Sequence, residues 1–261
     1  MPISLRSKIS QGIKTLIWLV VLIFILQGLI WLKLKFTSIQ VKEVVGVAQE
    51  SPAEEKFCGF PGEEIIYDVK LGGITLGKAD FRHISRIRLG AKVANLMTFQ
   101  TSLARFNDLE KIYSDARTFL PLLIERDVFI WPNQEKITES YDQDKFTLNI
   151  TKLKGKNKEE LLINKTGAIQ NAILLPFALR LIPEIDIGWS SVIRLPTQEF
   201  VITLVSIEDV MVPAGVFKSY HFRSTPRKFE IWVSTDERRI PVKIRGTGFL
   251  GYTMVMKEYR R

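Results

Sequence analysis

Short segments of alternating apolar and polar residues, set close together with turn formers between them, constrain this chain more than any other feature. The clearest is 229–244, FEIWVSTDERRIPVKI. Ile231 and Val233 alternate with Glu230 and Trp232, the run Ser234, Thr235, Asp236 and Glu237 makes a charged turn, and Ile240, Val242 and Ile244 resume the alternation. Pro241 has no amide hydrogen, which calls for a sheet edge or a bend at its position.

The same pattern runs through the body of the chain. Strands are expected at 63–71, 74–88, 92–103, 110–119, 122–131, 136–141 and 146–153, with Gly72 and Gly73 as the first tight turn. Others are expected at 191–195, 199–208, 216–223, 229–233, 240–245 and 252–258. Strands so close in sequence leave no room for crossover helices, so an antiparallel meander follows. The lysine-rich stretch 152–158 reads as a loop. One segment differs, 169–182 (IQNAILLPFALRLI), whose apolar helix formers around Pro176 predict a short helix packed on or plugging the sheet. The expected fold class is therefore all-β with one short helix, a curved antiparallel meander forming a barrel or half-barrel.

A different signal precedes this body. Residues 16–32 form an uncharged run of 17 residues, and adding Ile13 and the snorkelling Lys14, Lys33 and Lys35 makes it long enough to cross a bilayer. A core helix would carry a polar face, whereas here only Gln27 and Gly28 interrupt the apolar surface. The run is too long for the core of a cleaved signal peptide, and its nearest small-residue site, at Gly46 to Ala48, lies far downstream. A retained signal anchor at 13–35 is expected, after a short cytoplasmic amino terminus at 1–12 and before a linker at 36–56. The flanking positive charges nearly balance. Signal-anchor logic then favours an exported body, with a cytoplasm-facing body as the alternative. Residues 57–261 are read as a single β-rich envelope domain.

The net charge of +9 is spread along the chain: residues 1–56 hold seven of the 37 basic and four of the 28 acidic side chains, leaving 30 and 24 in the body. No basic run interleaved with aromatics is present, so no nucleic-acid partner is expected. Cys58, the sole cysteine, excludes an intrachain disulfide. His83 and His221 lie in separate strands and read as half-exposed strand residues, so neither a metal site nor a cofactor is expected. No serine has a nucleophile-elbow context, and no glycine loop is suited to phosphate. The chain is expected not to be an enzyme.

The residues singled out for binding are Gly77, Ala79, Phe81, Trp131, Trp232, Arg238 and Arg239. Gly77 and Ala79 are small residues on one strand face, which suggests either close approach of another backbone or space in a cavity. Phe81, Trp131 and Trp232 supply apolar area. Arg238 and Arg239 are suited to an anionic headgroup, or to a turn in which one reaches solvent and the other pairs with Asp236 or Glu237.

Several blocks together resemble bacterial envelope proteins grouped as domain of unknown function 3108. They are Gly62 and Glu63 with Tyr67; Gly73, Ile74 and Gly77 to Ala79; Val212 to Phe217; and Ile231 to Ser234 with Asp236, Arg238, Arg239 and Ile240 to Val242. The resemblance covers most of 57–261. It implies an exported protein similar in outline to curved sheets enclosing apolar cavities, such as the lipoprotein-localisation carriers. Two functions follow as expectations: a membrane-anchored inner-membrane protein that binds an apolar or lipid-like ligand in its curved sheet on the periplasmic side, or a structural module that offers the outer face of a packed barrel to an envelope protein partner.

Overall fold

The computed structural model describes residues 59–247 and 251–261. The expected transmembrane helix at 13–35, the linker at 36–56 and Cys58 lie outside the described residues. Among the described residues no helix is long and apolar enough to cross a membrane.

The domain is one antiparallel sheet of 14 strands. Its first half comprises β1 (Glu64–Leu71), β2 (Ile74–Leu89), β3 (Lys92–Leu103), β4 (Phe106–Asp115), β5 (Pro121–Ile130), β6 (Asn133–Asp142), β7 (Thr147–Lys154) and β8 (Asn157–Asn164). The second comprises β9 (Ser190–Arg194), β10 (Glu199–Val212), β11 (Gly215–Thr225), β12 (Phe229–Ser234), β13 (Pro241–Gly246) and β14 (Tyr252–Arg260). Each half is a meander, and the halves join through β1 and β14, so the first and last of the described strands lie side by side in the middle of the sheet. The free edges are β8 and β9, which are consecutive in sequence. They do not pair with each other, so the sheet is open and the closed-barrel form of the expectation does not occur.

The connection between those edges fills the seam instead. Ile169 exchanges hydrogen bonds with the Gln143 side chain in the β6–β7 turn, and Gln170 exchanges them with Arg194 of β9. Between these ties and β9 lies α1 (Leu175–Ala178), which continues into a 3-10 turn at Leu179–Leu181. Pro176 sits in the first turn, where its missing amide hydrogen costs no helical bond. The helix is one turn long and could not persist alone. What holds it is burial on two sides. Leu174 and Phe177 join the larger cluster, which draws on β1–β7 and on β10 and β12–β14, and Leu175 and Leu179 join the one built on β9–β12. Each such side chain contributes roughly 1.5–3 kcal/mol when fully buried.

One expectation is corrected. Lysines 152, 154 and 158 belong to strands, with only Gly155 and Lys156 forming the turn between β7 and β8. Strand β8 is an edge with almost every residue exposed, so its sequence had no reason to alternate. Of the two placements expected for Pro241, an edge or a bend, the second fits: it lies on an interior strand, opposite a register shift between Trp232 and Val233. Its carbonyl accepts the buried Tyr67 hydroxyl at 2.8 Å.

Candidate functional site

Register alone defines one face of the first half-sheet. Phe81 of β2 stands opposite Phe99 of β3, then Glu110 of β4, Arg126 of β5, Ile137 of β6 and Lys152 of β7. Directly paired residues share a face. The ring of Phe177 in α1 stacks on Phe81 at 3.8 Å between centroids, so this is the face that α1 covers. On one side of that row run Ala79, Thr101, Asp108, Val128 and Glu135, and beyond them Gly77, Leu103, Phe106 and Ile130. On the other side run Met97, Ile112, Ile124, Glu139 and Ile150.

The rows change character with depth. Leu103 and Phe106 are half-buried and Ile130 is 38% exposed, which makes an apolar rim at the end of the sheet that holds the β1–β2, β3–β4 and β5–β6 turns. Met97, Ile112 and Ile124 at the other side are fully buried. Between them lies a polar cluster. Arg126 donates to Asp108, and its Nε lies 3.4 Å from the Glu110 carboxylate. Glu139 accepts the Tyr141 hydroxyl at 2.6 Å. Burial pushes the Glu110 carboxyl from its ordinary 4.5 up to about 8; the Arg126 charge opposes that shift, while Asp108 and Glu139 add to it. Glu135, one row nearer the rim, is held below the usual carboxylate range: its partial burial acts the other way, but hydrogen bonds from Lys152 and Lys154 outweigh it. We refer to this face of β2–β7 as the trough.

The closed end of the trough is fastened by a second pair. Arg180 makes a two-pronged ion pair with Glu63, at 2.7 and 2.8 Å, and both side chains are almost fully buried. The remaining guanidinium nitrogen donates to the Arg239 carbonyl at 2.8 Å. Every arm of Arg180 is thus engaged, and the residue locks the segment after α1 onto the start of β1.

Of the residues singled out from sequence, four gather at the trough. Gly77, Ala79 and Phe81 line it from β2, and Trp131 follows Ile130 in the β5–β6 turn, 61% exposed with the Arg105 guanidinium 5.0 Å from its ring. Gly77 has a definite reason to be glycine: a Cβ there would fall 2.1 Å from the Ser102 carbonyl oxygen. The close neighbour is backbone. The other three lie elsewhere. Arg238 pairs with Asp236 beside a surface recess of about 350 Å³ lined by Phe217, Ile240 and Tyr259. Arg239 turns its guanidinium to the carbonyls of Ile182 and Pro183.

Trp232 is buried in the same hydrophobic cluster as Phe81 and Phe177, but its own contacts are polar and aromatic. Its indole N–H donates to Glu208 at 2.6 Å, and the His221 ring stacks on it at 4.2 Å. Both histidines are buried, at 2% and 6% exposure, contrary to the half-exposed expectation. Stacking explains His221; His83 packs beside Gly59 and Phe119, where a Cβ on Gly59 would meet its ring at 2.5 Å. Ser206 and Glu208 both approach the His221 Nδ1, at 3.3 and 3.4 Å, and the Glu230 carboxylate lies 3.9 Å from Nε2, beyond hydrogen-bond reach, so the hydrogen-bonded order of a nucleophile relay is not made. Glu230, fully buried, gathers Arg223, Arg227 and Arg245. Among the described residues no group of three or more His, Cys, Asp or Glu is placed to hold a metal.

Sequence reasoning missed the Asp108, Glu110, Arg126 and Glu139 cluster and the Glu63–Arg180 pair. A signal for the first was present: Asp108 and Glu110 share parity with Ile112, so charges occupy positions where the strand turns inward. For the second it was Arg180, the lone charge in an apolar helical window.

Among curated proteins none matches the chain. Solved structures similar to it include a β-barrel-like protein of the domain of unknown function DUF1849 from Brucella abortus, 8% identical, TM-score 0.48, covering 78% of this chain and 98% of that one. A Bacteroides fragilis protein described as exported, with a YmcC-like fold, is 10% identical with a TM-score of 0.28, covering 78% and 98%. A Parabacteroides distasonis protein described as a lipoprotein is 9% identical with a TM-score of 0.28, covering 78% and 97%. The family model for proteins of unknown function termed DUF3108 matches residues 66–257, and the chain belongs to that family.

Proposed function

We propose that the chain is a non-catalytic envelope protein, anchored in the inner membrane through residues 13–35 with its β domain on the extracytoplasmic side, and that its trough holds an apolar, lipid-like molecule. The observation that carries this reading is the grading of one sheet face from a half-exposed apolar rim at Leu103, Phe106 and Ile130 to a buried polar cluster at Asp108, Glu110 and Arg126. Apolar surface with a few convergent polar groups is the usual lining of a small-ligand site. The uncharged run at 16–32 supports the anchor. Native mass spectrometry of the full chain released from detergent, together with displacement of a fluorescent fatty acid, tests the binding. A chain that carries no lipid and ignores the probe overturns it. A carboxyl-terminal reporter active only in the cytoplasm would overturn the orientation.

A second reading, an interaction module of an envelope complex, is favoured by the exposed edge β8, where Leu161 and Leu162 are 41% and 63% exposed. Cross-linking that recovers a single stoichiometric partner through β8, from a chain that carries no lipid, would select it.

A further inference from the structure

The polar cluster of the trough contains an acceptor with nothing to accept. Asp108 is 6% exposed, its Oδ2 takes the Arg126 guanidinium, and its Oδ1 is buried without a hydrogen-bond partner among the described residues. A buried polar atom left without its partner keeps its full desolvation penalty, a loss that folding alone gives no reason to keep. Within the cluster itself carboxyl groups outnumber the guanidinium, while the wider face balances, since Lys152 and Lys154 share the single carboxylate of Glu135. Asp108, Glu110 and Glu139 come from the facing positions of β4 and β6, and Arg126 is the cation among them. The Tyr141 hydroxyl donates to Glu139 but adds no charge. Lys152 and Lys154, the nearest ammonium groups along these rows, are both drawn to Glu135. With Glu110 protonated, Arg126 still faces two carboxylates.

An unfilled oxygen on a buried carboxylate repels a carboxylate or phosphate head and accepts an N–H that carries positive charge. We propose that the trough takes an amphiphile with a primary ammonium head, which donates to Asp108 Oδ1 while its chain lies along Val128, Ile137 and the rim at Ile130. The inference rests on the trough being a binding site and names the chemistry of its ligand.

The probes are octylamine, octyltrimethylammonium and octanoate, titrated by calorimetry into the full chain in micelles. The two cations differ in whether they carry N–H donors, and octanoate reverses the charge. Octylamine is expected to bind saturably, octyltrimethylammonium and octanoate at least about tenfold more weakly, and Asp108→Asn to lower octylamine affinity about tenfold, the effect of one charge-assisted hydrogen bond. Glu139→Gln, which removes charge without touching the orphaned oxygen, is expected to weaken octylamine less, and it serves if Asp108→Asn does not fold. Equal binding of all three probes, tighter binding of octanoate, or octylamine binding indifferent to both substitutions overturns the ammonium head and leaves the trough as a site for apolar chains. Failure of every probe overturns the trough itself.

Discussion

At the scale of single residues, the buried titratable groups give the domain a defined dependence on pH. Glu110 holds its proton in the folded chain up to about pH 8, whereas the unfolded chain releases it near 4.5, so its contribution is full below 4.5 and is lost as pH rises through 8. His83 acts in the opposite sense. Burial lowers it from 6.5 to about 4, so the folded chain binds one proton fewer between those values and stability falls as pH drops through them. The two oppose each other below 6.5, where His221, also lowered by burial, adds to His83, so 6.5 to 8 is the window in which the effect of Glu110 is read. Urea unfolding followed across that window should show stability declining with pH, and Glu110→Gln should flatten the decline. An equal slope in both proteins would place the proton elsewhere.

The Glu63–Arg180 pair makes a second prediction at this scale. Removing one partner leaves a buried charge uncompensated, so Glu63→Gln should cost about 3–5 kcal/mol in chemical denaturation. Adding Arg180→Met to that variant should recover much of the loss. If the double variant is as unstable as the sum of the singles, the pair is not what fastens α1.

At the scale of elements, Gly77 tests whether the β2–β3 pairing is as tight as its geometry implies. Gly77→Ala forces the Ser102 carbonyl away, at a cost of roughly 1–3 kcal/mol from overpacking, read as a lower urea midpoint. A substitution without effect would mean that space remains beside the strand. Elements are also where the sequence was most readable. The Gly72–Gly73 hairpin, the β12–β13 hairpin and the proline-led helix declare themselves by turn chemistry and period. What stayed hidden are features that depend on which strands become neighbours. Strand β8 is an edge and carries no alternation, and the Asp108–Arg126 contact requires β4 to lie against β5 in one register. The Glu63–Arg180 pair spans 117 positions, and no local pattern records such a distance.

At the scale of the whole molecule, the decisive feature is that the halves meet through β1 and β14. A carboxyl-terminal strand is often dispensable at a sheet edge, but here it is central. Truncation after Gly246 should abolish cooperative unfolding, whereas deleting 157–164 removes only the edge strand β8 and should leave a cooperative transition at a lower midpoint. A truncated chain that still melts in one sharp step would show that each half is a folding unit by itself.

The pairing of first and last strands also sets the order of events when the chain is made. Synthesis delivers β1 first and β14 last, and roughly 180 residues separate the Leu71 and Tyr252 that meet across the join. Until the final residues have emerged, β1 has β2 on one side and an unfilled edge on the other, and α1 can reach Glu63 but not the completed sheet. A domain with this wiring stays unfinished for as long as it is still being synthesised, and it locks only after β14 has arrived.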